Sequence, residues 1–122
     1  MVIAALCFPQ LKAVKGVELL DGLHEMCSTV IDLYNASAES ALGGKVVPMS
    51  VVKDDILTLD WSDADIIYAS SICFPDELAE GIADKCAELK PGTRILTLKS
   101  FAPRPYLQYV HYLKVKFTWG IC

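Results

Sequence analysis

The sequence predicts an α/β fold: a Rossmann-like, mostly parallel sheet with flanking helices. Three observations predict it. Segments with strand character alternate with segments of helical periodicity, which is the pattern of βαβ units. The strand centres, such as "DIIYAS", are near-continuous apolar runs, as expected of strands buried on both faces. Polar residues cluster just beyond the strands, where parallel sheets bind ligands. The 122 residues are enough for one domain with a real core. The hydrophobic share of 53% suits a sheet covered on both sides.

The opening "MVIAALCF" reads as the rear of a buried helix. It is too short to span a membrane and lacks the basic start of a secretory leader. "AVKGVELLDGLHEMC" then gives a short apolar strand, a single carboxylate at its end (Glu18), and a helix from Asp21 to about Ser37. Asp21 is the expected N-cap. Leu23, Met26, Cys27, Val30, Ile31 and Tyr34 recur at helical spacing as one apolar stripe, and Gly43-Gly44 marks the following loop. "KVVPMSVVKDD" is a strand in which Pro48 disfavours pairing at one point, and "ADIIYASSICF" is the next. Pro75-Asp76 opens a second helix to about Leu89, with Leu78, Ile82, Cys86 and Leu89 inward. "KPGTR" stops it. "RILTLKSF" is a further strand, and one more is expected from about Leu113 to the end.

The net charge of −4 argues against a broad nucleic-acid surface, which is usually basic. The aromatic-basic run "RPYLQYVHYLKVK" therefore reads as core packing of a late strand rather than as a base-stacking platform. Five cysteines without a CxxC pair indicate reduced thiols. Neither they nor His24 and His111 have zinc-ligand spacing, so no metal site is expected.

The residues that follow the strands carry the chemistry. Glu18 is either a solvated strand end or an acceptor for the two hydroxyls of a ribose. Asp55 is either a turn or cap residue or an acceptor for an adenine amino group, with Ile56 against the ring; Asp54 reads as exposed. Ser70 and Ser71 either line a small cavity or satisfy strand-end backbone groups. Cys73 has no histidine or acid near it in sequence to activate it, and reads as a buried inert thiol.

Together these segments resemble the class I S-adenosylmethionine-dependent methyltransferases, and within them the disruptor-of-telomeric-silencing family of histone lysine methyltransferases. "KGVELLDGLHE" is similar to that family's ribose-binding strand and helix. "DDIL" resembles its adenine-side acid motif, with Asp54 where glycine is usual. "DIIYASSICFPDEL" resembles the strand that faces the methyl group, with Ser70 where asparagine is usual. "LKPGTRILTLKSFAP" matches the next helix end, strand and turn, and "FTWGIC" the start of the last strand pair. The resemblance implies S-adenosylmethionine as cofactor, bound by Glu18, Asp55 and Ile56. It also implies Ser70 near the methyl, and Phe74 and Phe101 walling a lysine channel. The substrate would be a protein, a histone among the candidates, in the nucleus or cytoplasm and away from membranes. Residues 1–122 would be the C-terminal part of the catalytic domain, with the first strand and the glycine-rich loop missing ahead of Met1. The alternative is a catalytically incomplete fragment that binds or homodimerises through an exposed sheet edge. A nicotinamide-dependent oxidoreductase would share the ribose acid, but the glycine fingerprint and a Tyr-Lys or His catalytic pairing are lacking.

Overall fold

The computed structural model describes residues 1–43, 46–114, 116–117 and 120–121, and for residues 39–42, 116–117 and 120–121 the backbone alone. Gly44, Trp119, Cys122 and the side chain of Lys116 lie outside the described residues. The chain divides into two compact units, Met1–Leu59 and Asp60–Cys122. Among the described residues, each unit holds a two-stranded parallel ladder, and a two-stranded antiparallel ladder lies near the end of the chain.

In the first unit, helix α1 (Val2–Cys7) precedes strand β1 (Val14–Glu18), helix α2 (Asp21–Leu42) and strand β2 (Met49–Lys53). The two strands run parallel, from Val14 opposite Met49 to Glu18 opposite Lys53. Pro48 has no N–H to give, so it enters the ladder through its carbonyl, which accepts the N–H of Val14 at 2.9 Å. Regular pairing begins at the next residue.

Helix α2 is five residues longer than expected, because nothing between Leu23 and Leu42 breaks it. It ends at Gly43, whose φ of 57° is the left-handed conformation that glycine adopts without steric cost. Its N-cap is Leu20, not Asp21. Asp21 is already helical, and its carboxylate pairs with the Lys53 ammonium instead of capping.

The expected stripe divides into two faces. Ile31, Tyr34 and Ala38 are buried with Ala5, Val47 and Met49 to form the core of this unit. Leu23, Met26, Val30 and Leu33, spaced three or four apart, stay exposed. The periodicity was that of a helix wider in apolar surface than one two-stranded sheet can cover. Helix α1 forms where expected but is not buried: only Ala5 is, while Ile3 is 77% exposed.

The Tyr34 hydroxyl is buried and has no hydrogen-bond partner among the described residues. A buried polar group left unpaired costs about 1–3 kcal/mol. Tyr34→Phe is therefore expected to leave stability unchanged or to raise it, as measured by urea denaturation. A loss above about 1 kcal/mol would show that the hydroxyl has a partner.

The second unit holds strand β3 (Ile66–Ala69), a 3-10 turn at Ser71–Cys73, helix α3 (Asp76–Lys85), a 3-10 turn at Cys86–Glu88 and strand β4 (Arg94–Thr97). Strands β3 and β4 are parallel, from Ile66 opposite Arg94 to Ala69 opposite Thr97. Pro75 is the N-cap of α3, and Asp76 and Glu77 lie in its first turn, where the helix dipole favours negative charge. Of the expected stripe, Ile82 and Cys86 are buried, joined by Ala79 and Ala83, whereas Leu78 and Leu89 are only half-buried.

A turn closed by the Thr93 N–H to the Lys90 carbonyl at 3.2 Å, with Gly92 at φ 92°, returns the chain to the sheet. Both faces of this ladder were expected to be covered. Instead Ile67, Ala69, Ile95 and Thr97 are half-buried, whereas Ile66, Tyr68, Arg94 and Leu96 on the other face are exposed. Beyond β4, Arg104 is fastened to α3 by the carboxylates of Glu80 and Asp84. These bonds and charges hold its guanidinium above its ordinary pKa.

In place of one late strand there are two short ones, β5 (Lys116–Phe117) and β6 (Gly120–Ile121), paired antiparallel. The run before them is not core. Tyr109, Val110, Tyr112 and Leu113 are exposed and outside any strand. Among the described residues, no helix is long and apolar enough to cross a membrane.

Candidate functional site

The first unit brings two of the predicted carboxylates to one end of its ladder. Glu18 is the last residue of β1, opposite Lys53, the last of β2. Asp55 follows two residues later, so both acids sit at the carboxyl ends of neighbouring parallel strands. Each is aimed by a local bond. Glu18 Oε1 accepts the N–H of Leu20 at 2.9 Å, which bends the chain into α2. Asp55 Oδ1 accepts the N–H of Leu57 at 2.8 Å, and the Asp55 carbonyl accepts from Thr58 and Leu59.

Asp54 was expected to be simply exposed, but it is half-buried and structural. Its Oδ1 accepts the Asp55 N–H at 2.7 Å and the Thr58 hydroxyl at 3.3 Å. The side chain replaces a missing backbone bond in a tight turn. Ile56 is half-buried beside Asp55. A carboxylate offers about four acceptor positions, so a single bond leaves each acid able to accept from a ligand. Acceptor oxygens thus gather at this strand end, beside one donor, the Lys53 ammonium that Asp21 holds.

The second unit brings together Ser70, Phe74 and the segment leading to Phe101. Ser70 follows β3 directly and is exposed, while Phe74 and Phe101 are half-buried. Ser71 is fully buried, and its hydroxyl oxygen accepts two backbone bonds from the end of β4, Leu98 N–H at 3.2 Å and Lys99 N–H at 3.0 Å. The Lys99 ammonium donates to the Phe74 carbonyl at 3.3 Å and pairs with the Asp76 carboxylate. That hydrogen bond, and then the lysine charge, hold the Asp76 carboxyl below its ordinary 3.8. The stabilisation this lends is present above that ordinary value and is lost as the pH falls through the lowered one.

The sequence had left Ser71 open between cavity and backbone roles, and gave Lys99 none. A serine doublet after a strand was the available signal. A hollow of about 230 Å³ lined by Cys86, Leu89, Lys90, Thr93 and Tyr106 opens at the amino end of β4, the end opposite Ser70. It has no share in the strand-end chemistry.

The thiols correct one expectation. Cys73 is exposed rather than buried, whereas Cys86 is buried and donates to the Ile82 carbonyl. Burial pushes the Cys86 thiol up to about 11. Peptide mapping after brief alkylation at pH 8 is expected to find Cys73 and Cys7 modified and Cys86 untouched in the folded chain. Equal labelling of Cys86 would contradict its packing. No group of three or more histidine, cysteine or acidic side chains able to hold a metal occurs among the described residues.

Parallel strands joined through helices, with carboxylates at the carboxyl ends of β1 and β2, define a mixed α/β protein. A sequence model of the family described as histone methylation protein DOT1 matches residues 1–116, and the chain belongs to that family. It is also similar to a histone-lysine N-methyltransferase, H3 lysine-79 specific, of Dictyostelium discoideum. The two are 27% identical over 94 residues, which cover 73% of this chain and 5% of that relative. The chain thus spans about one-twentieth of the length of the relative it matches.

Proposed function

We propose that this chain takes part in S-adenosylmethionine-dependent transfer of a methyl group to a lysine amine of a protein, with histone H3 as the substrate. Its strands would be part of a Rossmann-like sheet, and residues 1–122 the C-terminal part of a methyltransferase catalytic domain. Membership of the histone methylation family supports the reaction class. The observation that carries the site is the pair of carboxylates at adjacent strand ends, Glu18 and Asp55.

On this reading Glu18 holds the ribose hydroxyls, Asp55 the adenine amino group, and Ile56 packs on the ring. When bound, S-adenosylmethionine supplies a methyl group activated by its sulfonium. Ser70 lies near that methyl, and Phe74 and Phe101 wall the path of the amine. Aromatic walls orient the amine and keep competing water out. No side chain is assigned as general base; the amine loses its proton through water. A histone substrate means that the protein works in the nucleus.

The test is transfer of labelled methyl from S-adenosylmethionine to recombinant H3, with H3 lacking the target lysine as control. Label on the first and none on the second is the expected result. Label on neither, or equally on both, would remove the substrate assignment.

A further inference from the structure

We propose that Ser71 and Lys99 are positioning residues which lock the loop after β3 and the loop after β4 into one rigid unit. Through that lock they fix Phe74 relative to Phe101. The proposal rests on the methyl-transfer reading only for what the two aromatic side chains do.

The ties are at both levels of the chain. Ser71 is a polar residue with no exposed surface, yet it makes no use of solvent. Its oxygen, which has two acceptor positions, takes the N–H groups of both Leu98 and Lys99. These lie just beyond Thr97, the last residue of β4, where the ladder no longer supplies acceptors. The Ser71 carbonyl meanwhile accepts the Phe74 N–H at 3.1 Å and closes the 3-10 turn.

Lys99 returns the tie in the other direction. Its backbone is held by Ser71, and its ammonium reaches the Phe74 carbonyl and the Asp76 carboxylate. Phe74 is therefore bonded through both its N–H and its carbonyl, and Phe101 stands two residues from the lysine that does half of this. Alanine at 71 would leave two backbone donors without a partner, each a costly loss in a part-buried setting. A water molecule cannot take the place of an oxygen that has no exposed surface without first opening the turn.

Amide hydrogen exchange and backbone relaxation, measured on the whole chain, test this without any turnover. In the wild type, the Leu98 and Lys99 amides are expected to be protected although they lie outside the strand. In Ser71→Ala that protection falls about tenfold or more, and backbone order drops at Phe74 and Phe101 while α3 keeps its own. Lys99→Met is a milder second variant that keeps the Ser71 bonds, so the amides stay protected and only Phe74 loosens.

Unprotected amides at 98 and 99 in the wild type would overturn the proposal, and so would unchanged order at Phe74 and Phe101 in Ser71→Ala. In the transfer assay Ser71→Ala is expected to raise KM for a lysine peptide about tenfold and leave S-adenosylhomocysteine affinity within twofold. A tenfold rise in KM matched by a tenfold loss of S-adenosylhomocysteine affinity would mean a merely structural role and overturn the positioning assignment. Failure of the wild type to bind S-adenosylhomocysteine would remove the methyl-transfer reading, and the exchange data would still decide the lock.

Discussion

Glu18→Ala is expected to weaken binding of S-adenosylhomocysteine about tenfold or more, measured by titration calorimetry. A hydrogen bond to a charged group contributes roughly 1.5–3 kcal/mol, and about 1.4 kcal/mol is tenfold in affinity. Alanine also removes the acceptor for the Leu20 N–H, which loosens the entry into α2. Glu18→Gln separates the two effects, because its amide oxygen can still accept from Leu20 while the charge is gone. An intermediate loss for Gln, with an unchanged melting temperature, assigns the larger share to the ligand. Wild-type affinity in Glu18→Ala would remove Glu18 from the ribose, whatever the fate of Asp55.

Ile82→Ala is expected to destabilise the second unit by about 2–5 kcal/mol, the usual cost of emptying a well-packed aliphatic site. Ile82 is 3% exposed and lies with Ala79, Ala83 and Cys86 on the buried side of α3. Urea denaturation followed through amide peaks of residues 60–114 measures the loss in that unit alone. Leu33→Ala on the exposed face of α2 is the control, with a change within about 0.5 kcal/mol. A loss below about 1 kcal/mol at Ile82 would mean that α3 is not packed as described.

The helices and four of the strands were legible because their signals are local. The 3.6-residue spacing of Leu78, Ile82, Cys86 and Leu89 and the proline at 75 bounded α3 to within a few residues. The Pro-Gly turn then fixed the start of β4. How the strands assemble was less legible. An apolar run such as Ile66 to Ala69 announces that both faces are apolar, not which neighbour covers them, and Tyr68 and Leu96 stay exposed. The same limit applied to the stripe on α2, where composition could not say which half of the face the sheet would reach.

In the candidate site, Glu18 and Asp55 could be found because acids after apolar strands are conspicuous. The roles of Asp54 and Ser71 could not be read from spacing. Both depend on whether a short side chain meets backbone N–H groups, one residue on for Asp54 and some 27 residues away for Ser71. For Ser71, only folding brings the groups together. The N-cap at Leu20 shows the same competition: Asp21 is a good capping residue, but Lys53 across the sheet end claims its carboxylate.

The most direct test of the central claim is an amide NMR titration of the chain with S-adenosylhomocysteine. Dispersed peaks are expected, with saturable shifts concentrated at Glu18 to Leu20 and Asp55 to Leu57. Dispersed peaks that ignore the ligand at millimolar concentration would contradict the claim: the two carboxylates would then be turn residues, and these strand ends would not hold the nucleoside.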